Sequence, residues 1–331
     1  MVEQIEVPER PLAATLARAA VAAGYAPSVH NTQPWHWRVE SERLELFADR
    51  TRQLSVTDPD GRLLLLSCGT ALHHATVALA AQGWASKVTR LPDPEQPDLL
   101  ARLIPDGPIP VTSRARRLFQ AAEVRHTDRR PVTDEPVPVS TLAAITTAVA
   151  GAARLQVLTR DQVLGLAAAA SRAATVESDD PRVRDELAYW TGRGAPAGAG
   201  LPAHVVPGEP PRTTVPERDF GRPGTLPVGP GHDAAASYLL LFGDDDEQSS
   251  WLRAGEALSA AWLTAVGLGV SVLPLSEAIE VESTRQALRQ VLSGLGHPYL
   301  VLRVGFADPD HAGPAHTPRL RSDQVVETAI G

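Results

Sequence analysis

Pro27-Ser28-Val29-His30-Asn31-Thr32-Gln33-Pro34-Trp35 is the stretch from which the fold is read. Two prolines fix the backbone, small polar side chains fill the space between them, and an aromatic ring closes the run. The product is a rigid loop that presents hydrogen-bonding groups beside an apolar wall, a surface suited to a flat heteroaromatic ligand with amide-like edges. On its N-terminal side, residues 11–25 form an alanine-rich amphipathic stretch that reads as a helix. On its C-terminal side, residues 35–40 and 43–47 read as a strand pair. Asp58-Pro59 then supplies a cap and first turn for a long apolar helix that stops at Gly83. Further strands are expected at 87–91, 155–158, 237–242 and 299–306, and helices at 113–124, 140–150, 161–175, 180–189 and 249–267. That is a mixed class in which helices outnumber strands.

The helix ending at Gly83 occurs twice. Gly69, Ala71, Leu72, Ala75 and Gly83 recur as Gly255, Ala257, Leu258, Ala261 and Gly269, at a constant offset of 186 residues. Upstream, Val7-Pro8 followed by Leu12-Ala13-Ala14 recurs as Val137-Pro138 followed by Leu142-Ala143-Ala144, at an offset of 130. The second copy therefore carries extra residues between its two matched helices. Chance matching of alanine-rich helices is the competing explanation, but the insertion leaves its own trace. Residues 192–231 are crowded with glycine and proline and have no apolar period, so they form a long loop. A loop of that length is either a linker or a cover over a site. Trp190, Leu201, Val205, Val206 and Phe220 supply apolar anchors that a solvated linker does not need, which favours a lid over about 190–235.

Each copy holds what the other lacks. The loop at 27–35 has no counterpart in the second copy, and Arg125-His126-Thr127-Asp128-Arg129-Arg130-Pro131 has none in the first. This is expected when a two-fold dimer with two sites becomes one chain with one site, divided here into halves 1–124 and 125–331. Arginines beside a threonine hydroxyl make an anion site, since guanidinium binds phosphate oxygens bidentately and keeps its charge. An exposed basic turn is the alternative reading. Arg319 and Arg321 add two guanidiniums at period two near the C-terminus, so an extended segment would point both the same way.

Composition limits the partners. The formal charge of −8 and the absence of a basic stripe argue against nucleic acid or an anionic membrane surface. Cys68 is the single cysteine, so the fold needs no disulfide and no oxidising compartment. No leader pattern or apolar run of spanning length is read, and the expected setting is the cytoplasm.

Taken together, the loop with Ser28, Asn31, Gln33, Pro34 and Trp35, the turn with Arg125, Thr127 and Arg129, and the helix through Gly255 resemble the nitroreductase family. The single-chain arrangement, with Ser67-Cys68-Gly69 in one half and residues 126–130 in the other, is similar to its Acg-type branch. The resemblance implies an α+β three-layer sandwich of two fused half-repeats that mimic a homodimer, with helices on both sides of a mixed sheet. It further implies FMN as cofactor, NAD(P)H as electron donor and a quinone, nitroaromatic or similar acceptor. Arg125, Thr127 and Arg129 would hold the FMN phosphate, closed by Arg319 and Arg321. Ser28, Asn31 and Gln33 would border the isoalloxazine, and Gly255 would let its helix approach the ring. No catalytic side chain is required, because the flavin carries the chemistry. A lid shut over the site would instead make the protein an FMN store with little turnover. A monomer acting as a pseudo-dimer is expected.

Other motifs carry less. Adjacent His73 and His74 cannot both face one metal from a helix, and no HExxH or CxxC occurs. They read as a polar helix edge, with His74 able to face a ligand. Gly267-Leu268-Gly269 follows a helix and lacks the third glycine of a dinucleotide fingerprint. The acidic run 244–247 reads as a solvated turn and cap, and Cys68 as a small buried hydrophobe.

Overall fold

The computed structural model describes residues 12–149, 151, 153–193, 197–229, 231–308 and 316–329. The chain opens with α1 (Leu12–Ala23), the hairpin β1 (Trp35–Val39) and β2 (Leu44–Ala48), then α2 (Arg62–Ala81), β3 (Trp84–Arg90), β4 (Leu99–Pro108) and α3 (Ser113–Val124). It continues with α4 (Val139–Thr147), β5 (Ala153–Val157), α5 (Arg160–Asp179), α6 (Pro181–Trp190), β6 (Ser237–Gly243), α7 (Gln248–Gly267) and β7 (Ser271–Leu275). It ends with α8 (Glu277–Glu280), α9 (Glu282–Val291), β8 (His297–Gly305), α10 (Ser322–Val325) and β9 (Val326–Thr328).

The strands form two sheets rather than the single mixed sheet implied by the resemblance, in the orders β3-β4-β2-β1-β9 and β5-β6-β8-β7. Counted by order of appearance, the first four strands of one sheet and the four of the other are arranged alike. β9 joins the first sheet in parallel with β1, pairing Val326 with Trp37, so the C-terminal segment returns to the first half. The first sheet alternates. Trp35, Trp37, Leu44 and Leu46 are buried in the main core, whereas Arg38 stacks on Phe47 and Arg102 meets Glu45. Trp35 and Trp37 lie two residues apart in β1 and so share its buried face. The second sheet is covered on both faces. Its Leu239, Leu241 and Leu302 join the main core, while Leu240, Phe242 and Val301 pack with Leu166 of α5 and Leu288 of α9. That explains the unbroken apolar run in β6.

α2 is long and apolar enough to cross a membrane, yet most of it is buried inside the molecule. It packs on the first sheet, α7 packs on the second, and the two helices cross. A Cβ built at Gly255 would overlap the Leu66 carbonyl oxygen and lie 2.8 Å from Gly69 Cα. One built at Gly69 would overlap the Leu252 carbonyl oxygen and lie 2.9 Å from Gly255 Cα. The contacts are reciprocal: residues 66 and 69 meet 255 and 252, each related to its opposite number by the same 186 residues, as are His73 and Ser259, which hydrogen-bond across the crossing.

Local rules account for most elements. Asp58 accepts hydrogen bonds from the Leu63 and Leu64 amides, so it caps α2 as expected, although the helix begins at Arg62. Thr159 with Gln162 forms a capping box for α5, and Asp180 with Pro181 starts α6. β4 and β7 escaped the sequence reading because each contains proline; β7 tolerates Pro274 at the edge of its sheet. Val7-Pro8 and the expected end of α4 at residue 150 lie outside the described residues.

Candidate functional site

A cleft of about 110 Å³ that opens to solvent draws its lining from residues 27–67 and 127–300. Loop 27–30, Leu63, Leu66 and Ser67 of α2, Leu258 and Trp262 of α7 and residues 273–278 line it. Thr127 and Arg129 enter from the turn. Val215 to Arg218 and Phe220, from the long insertion, complete the lining.

The loop is held in an unusual shape. His30, Asn31 and Gln33 have φ of 45°, 55° and 51°, in the left-handed region that costs non-glycine residues energy. Hydrogen bonds fix it: the Gln33 amide donates to Ser28 Oγ, and the Val29 amide donates to Ser67 Oγ. Ser28 faces the cleft, with its hydroxyl engaged in shaping the loop.

Asn31 and Gln33 are not in the cleft lining, contrary to the expectation that they border a ring. Asn31 Nδ2 donates to the Gly200 and Pro318 carbonyls, and its Oδ1 accepts from Arg319 Nη1. Gln33 Nε2 donates to the Gly198 carbonyl, and its Oε1 accepts from the Leu320 amide. Both amides are buried and spend their capacity tying the insertion and the C-terminal segment to the loop, because buried polar groups take whatever backbone partners lie within reach. Gly255 is likewise outside the lining. Its missing side chain serves the crossing with Gly69 rather than an approach to a ligand. Arg321 points away: it is largely exposed and bonds Asp323.

Arg125 and Arg319 are also outside the cleft lining, but they converge. Arg125 Nη2 and Arg319 Nη2 donate to the same carbonyl, that of Tyr25, at 3.1 and 3.3 Å. Arg125 is buried and its guanidinium lies 4.6 Å over the Trp262 ring, which lines the cleft. Burial, reinforced by Arg319, holds Arg125 well below the usual arginine range, and burial pushes Arg319 and Arg129 down to about 10. Among the described residues neither Arg125 nor Arg319 meets a carboxylate, and Arg125 Nε and Nη1 and Arg319 Nε are buried without partners. The nearest acid in the turn, Asp128, is consumed by both ends of Arg130. Buried, unpaired guanidiniums are costly, and an anion placed among them relieves the cost. Arg129 stands apart, bonding the Val205 carbonyl and lying 5.4 Å over Phe220 of the insertion.

Further residues of the site were not singled out from sequence. His30 lines the cleft with Nε2 buried and unpartnered, packs edge-on against Phe220, and is kept well below its ordinary pKa by burial and then by Arg218 and Arg129. Arg303 braces the turn by donating to the Asp128 and Arg130 carbonyls and to Asp233. Its distance in sequence from the turn left no signal to find it by. Arg218 joins Glu177 of α5 and Glu280 of α8, anchoring the insertion beside the cleft.

Compared with models of protein families, the chain matches none. It is 40% identical over 326 residues to a protein of Mycobacterium tuberculosis H37Rv that carries the provisional name NAD(P)H nitroreductase, covering 96% of this chain and 92% of that one. It is 35% identical over 307 residues to the NAD(P)H nitroreductase acg, also provisionally named, of the same organism, covering 91% of each. Among solved structures, an FMN- and NADPH-dependent nitroreductase from sphigopyxis is 20% identical with a TM-score of 0.42, covering 63% of this chain and 97% of that one.

Proposed function

Because the chain belongs to the nitroreductase family, in its Acg-type branch, we propose that it is an FMN-dependent oxidoreductase carrying electrons from NAD(P)H to a quinone, nitroaromatic or similar acceptor. The observation that carries this reading is the guanidinium pair of Arg125, buried, and Arg319, half-buried, which meets no carboxylate among the described residues. That donor set fits the phosphate of FMN, and the cleft lined by loop 27–30 and residues 273–278 fits a flat ring. Thr127 and Arg129 lie between the two ends. Bound FMN would supply the redox chemistry, hydride acceptance and electron delivery, so no catalytic side chain is assigned. The chain's own part is to orient the ring, neutralise the phosphate and limit water.

The same strand order in each sheet and the reciprocal contacts at offset 186 support two fused half-repeats, 1–124 and 125–331, acting as a monomer. Light scattering that gave a dimer mass would count against that. An anaerobic absorbance spectrum, before and after NADPH, tests the activity. A flavin spectrum that bleaches supports an accessible, reducible cofactor, and protein that stays colourless after reconstitution with FMN sinks the reading.

A second reading, FMN storage, is favoured by the insertion itself. Phe220 on His30, Arg129 on Val205 and Arg218 on Glu177 fasten it over one side of the cleft. A flavin spectrum unmoved by NADPH in the intact chain, but bleached after removal of 206–229, would select storage.

A further inference from the structure

Two histidines and a serine meet where the central helices pass the arginine pair. His74 of α2 is 1% exposed. Its Nδ1 lies 2.9 Å from the Thr70 carbonyl oxygen and 3.0 Å from Ser259 Oγ. A carbonyl only accepts, so Nδ1 carries the proton, and Nε2 of the neutral ring is a bare lone pair. That Nε2 is buried and has no partner among the described residues. One turn along α7 from Ser259, Trp262 carries the Arg125 guanidinium on its ring. Arg125, stacked on Trp262, and Arg319, which shares the Tyr25 carbonyl with it, are both felt at the imidazole.

Resting on the reading of that pair as a phosphate site, we propose that His74 is a third ligand of the phosphate and takes up one proton when the phosphate binds. A bare lone pair turned toward an anionic oxygen is repelled, whereas a protonated Nε2 donates a charge-assisted hydrogen bond. Without the anion, burial first, then Arg125, His73 and Arg319, hold the imidazole neutral. A phosphate set among these groups reverses the local field and favours the imidazolium. The other titratable neighbours are His73, pushed down to about 4 by burial and bonded to Ser259, and the edge-to-face pair His126 and His316 nearer the surface. The site would therefore select a flavin bearing a phosphate over one without it, and hold it less tightly as pH rises.

Isothermal titration of FMN into the protein at pH 8, in two buffers of different ionisation heat, tests this directly. At that pH a free phosphomonoester, with a second pKa of about 6, is a dianion, so uptake is read at the protein. About one proton per FMN is expected, with affinity falling roughly tenfold per pH unit above 7, and riboflavin showing neither effect. His74→Gln, whose amide offers an N–H without titrating, should bind FMN with no uptake and a flat pH profile. FMN binding without uptake in the wild-type protein overturns the proposal, as does uptake that persists in His74→Gln, which would place the proton on His126 or His316. Failure of either flavin to bind would instead refute the FMN reading beneath it.

Discussion

Replacing Gly255 by alanine sets two effects of known size against each other. In an open helix the change stabilises by up to about 1 kcal/mol, because glycine has more backbone freedom to lose. At the crossing the new methyl would overlap the Leu66 carbonyl oxygen and lie 2.8 Å from Gly69 Cα, both backbone atoms that no rotamer can move. Restoring an ordinary carbon contact of about 3.5 Å requires the helices to part by at least about 0.7 Å, a gap that forfeits a quarter to a half of the dispersion between facing atoms. Overpacking of this kind costs about 1–3 kcal/mol, and a backbone clash at the centre of the main core lies at the upper end. The net loss is then about 2 kcal/mol. With an unfolding entropy near 2.1 cal/mol/K per residue, Tm falls by roughly 3 °C. Gly267→Ala is the control, since a Cβ there meets nothing within 4 Å and should leave Tm unchanged or raise it. Because the contact is reciprocal, Gly69→Ala should cost the same as Gly255→Ala. Differential scanning calorimetry of the three variants decides the matter: Gly255→Ala melting at or above wild type, or Gly69→Ala behaving like the control, would refute the crossing described.

Arg319→Ala and Arg125→Ala should each weaken FMN by about 10- to 150-fold, the worth of a hydrogen bond to a charged group, and leave riboflavin within twofold, as read by quenching of flavin fluorescence; Arg321→Ala should change neither. The Glu217 carboxyl is pushed up to about 7, chiefly by burial, against the pull of Arg303. An acid whose folded pKa is raised stabilises the fold below its ordinary 4.5 and loses that contribution as pH climbs through 7. Wild-type Tm should therefore fall relative to Glu217→Gln between those values, and parallel curves would count against it. Asn31→Ala orphans the Gly200 carbonyl, at about 1–3 kcal/mol for a buried group, and takes one partner each from the Pro318 carbonyl and Arg319 Nη1, which keep others; limited proteolysis within 190–235 should quicken, and an unchanged rate would show the clamp idle.

What was legible in the sequence is what local rules govern. The helices, their caps and the hairpin follow from period and punctuation, and the constant offset pointed to both central helices. Pro105 and Pro274 hid β4 and β7, because a sequence does not say that β7 is an edge strand. The family resemblance put Arg125 and Arg319 at one phosphate, and the structure brings them to one carbonyl. Asn31, Gln33 and Gly255 were given ligand roles because their motif suggested them, yet their distant partners lie between 165 and 288 residues away or on the other central helix. Residue type told that these positions matter. Only the tertiary structure tells what they touch.

The pattern of sameness between the two central helices has a physical reason. On an approximate two-fold axis, a residue meets its own counterpart, so a change on one side must be tolerated by its equal on the other. Leu66 and Leu252, Gly69 and Gly255, and Leu72 and Leu258 are identical pairs. Other pairs diverge, at the crossing as well: His73 meets its counterpart Ser259, His74 stands opposite Ala260, and Trp262, which carries Arg125, stands opposite Thr76. A symmetric dimer cannot diverge in this way, because each substitution appears twice, and an insertion as long as that between β5 and β6 would have to be housed at both sites. The fusion proposed for this chain would remove the duplication. One cleft can then gather the loop from one half, the arginines from the other and a cover from the insertion. The equivalent position loses the groups that would bind, and a chain of this kind should titrate with a single equivalent of flavin. Two equivalents, measured by absorbance after gel filtration, would mean that a second cleft has survived without the arginine turn.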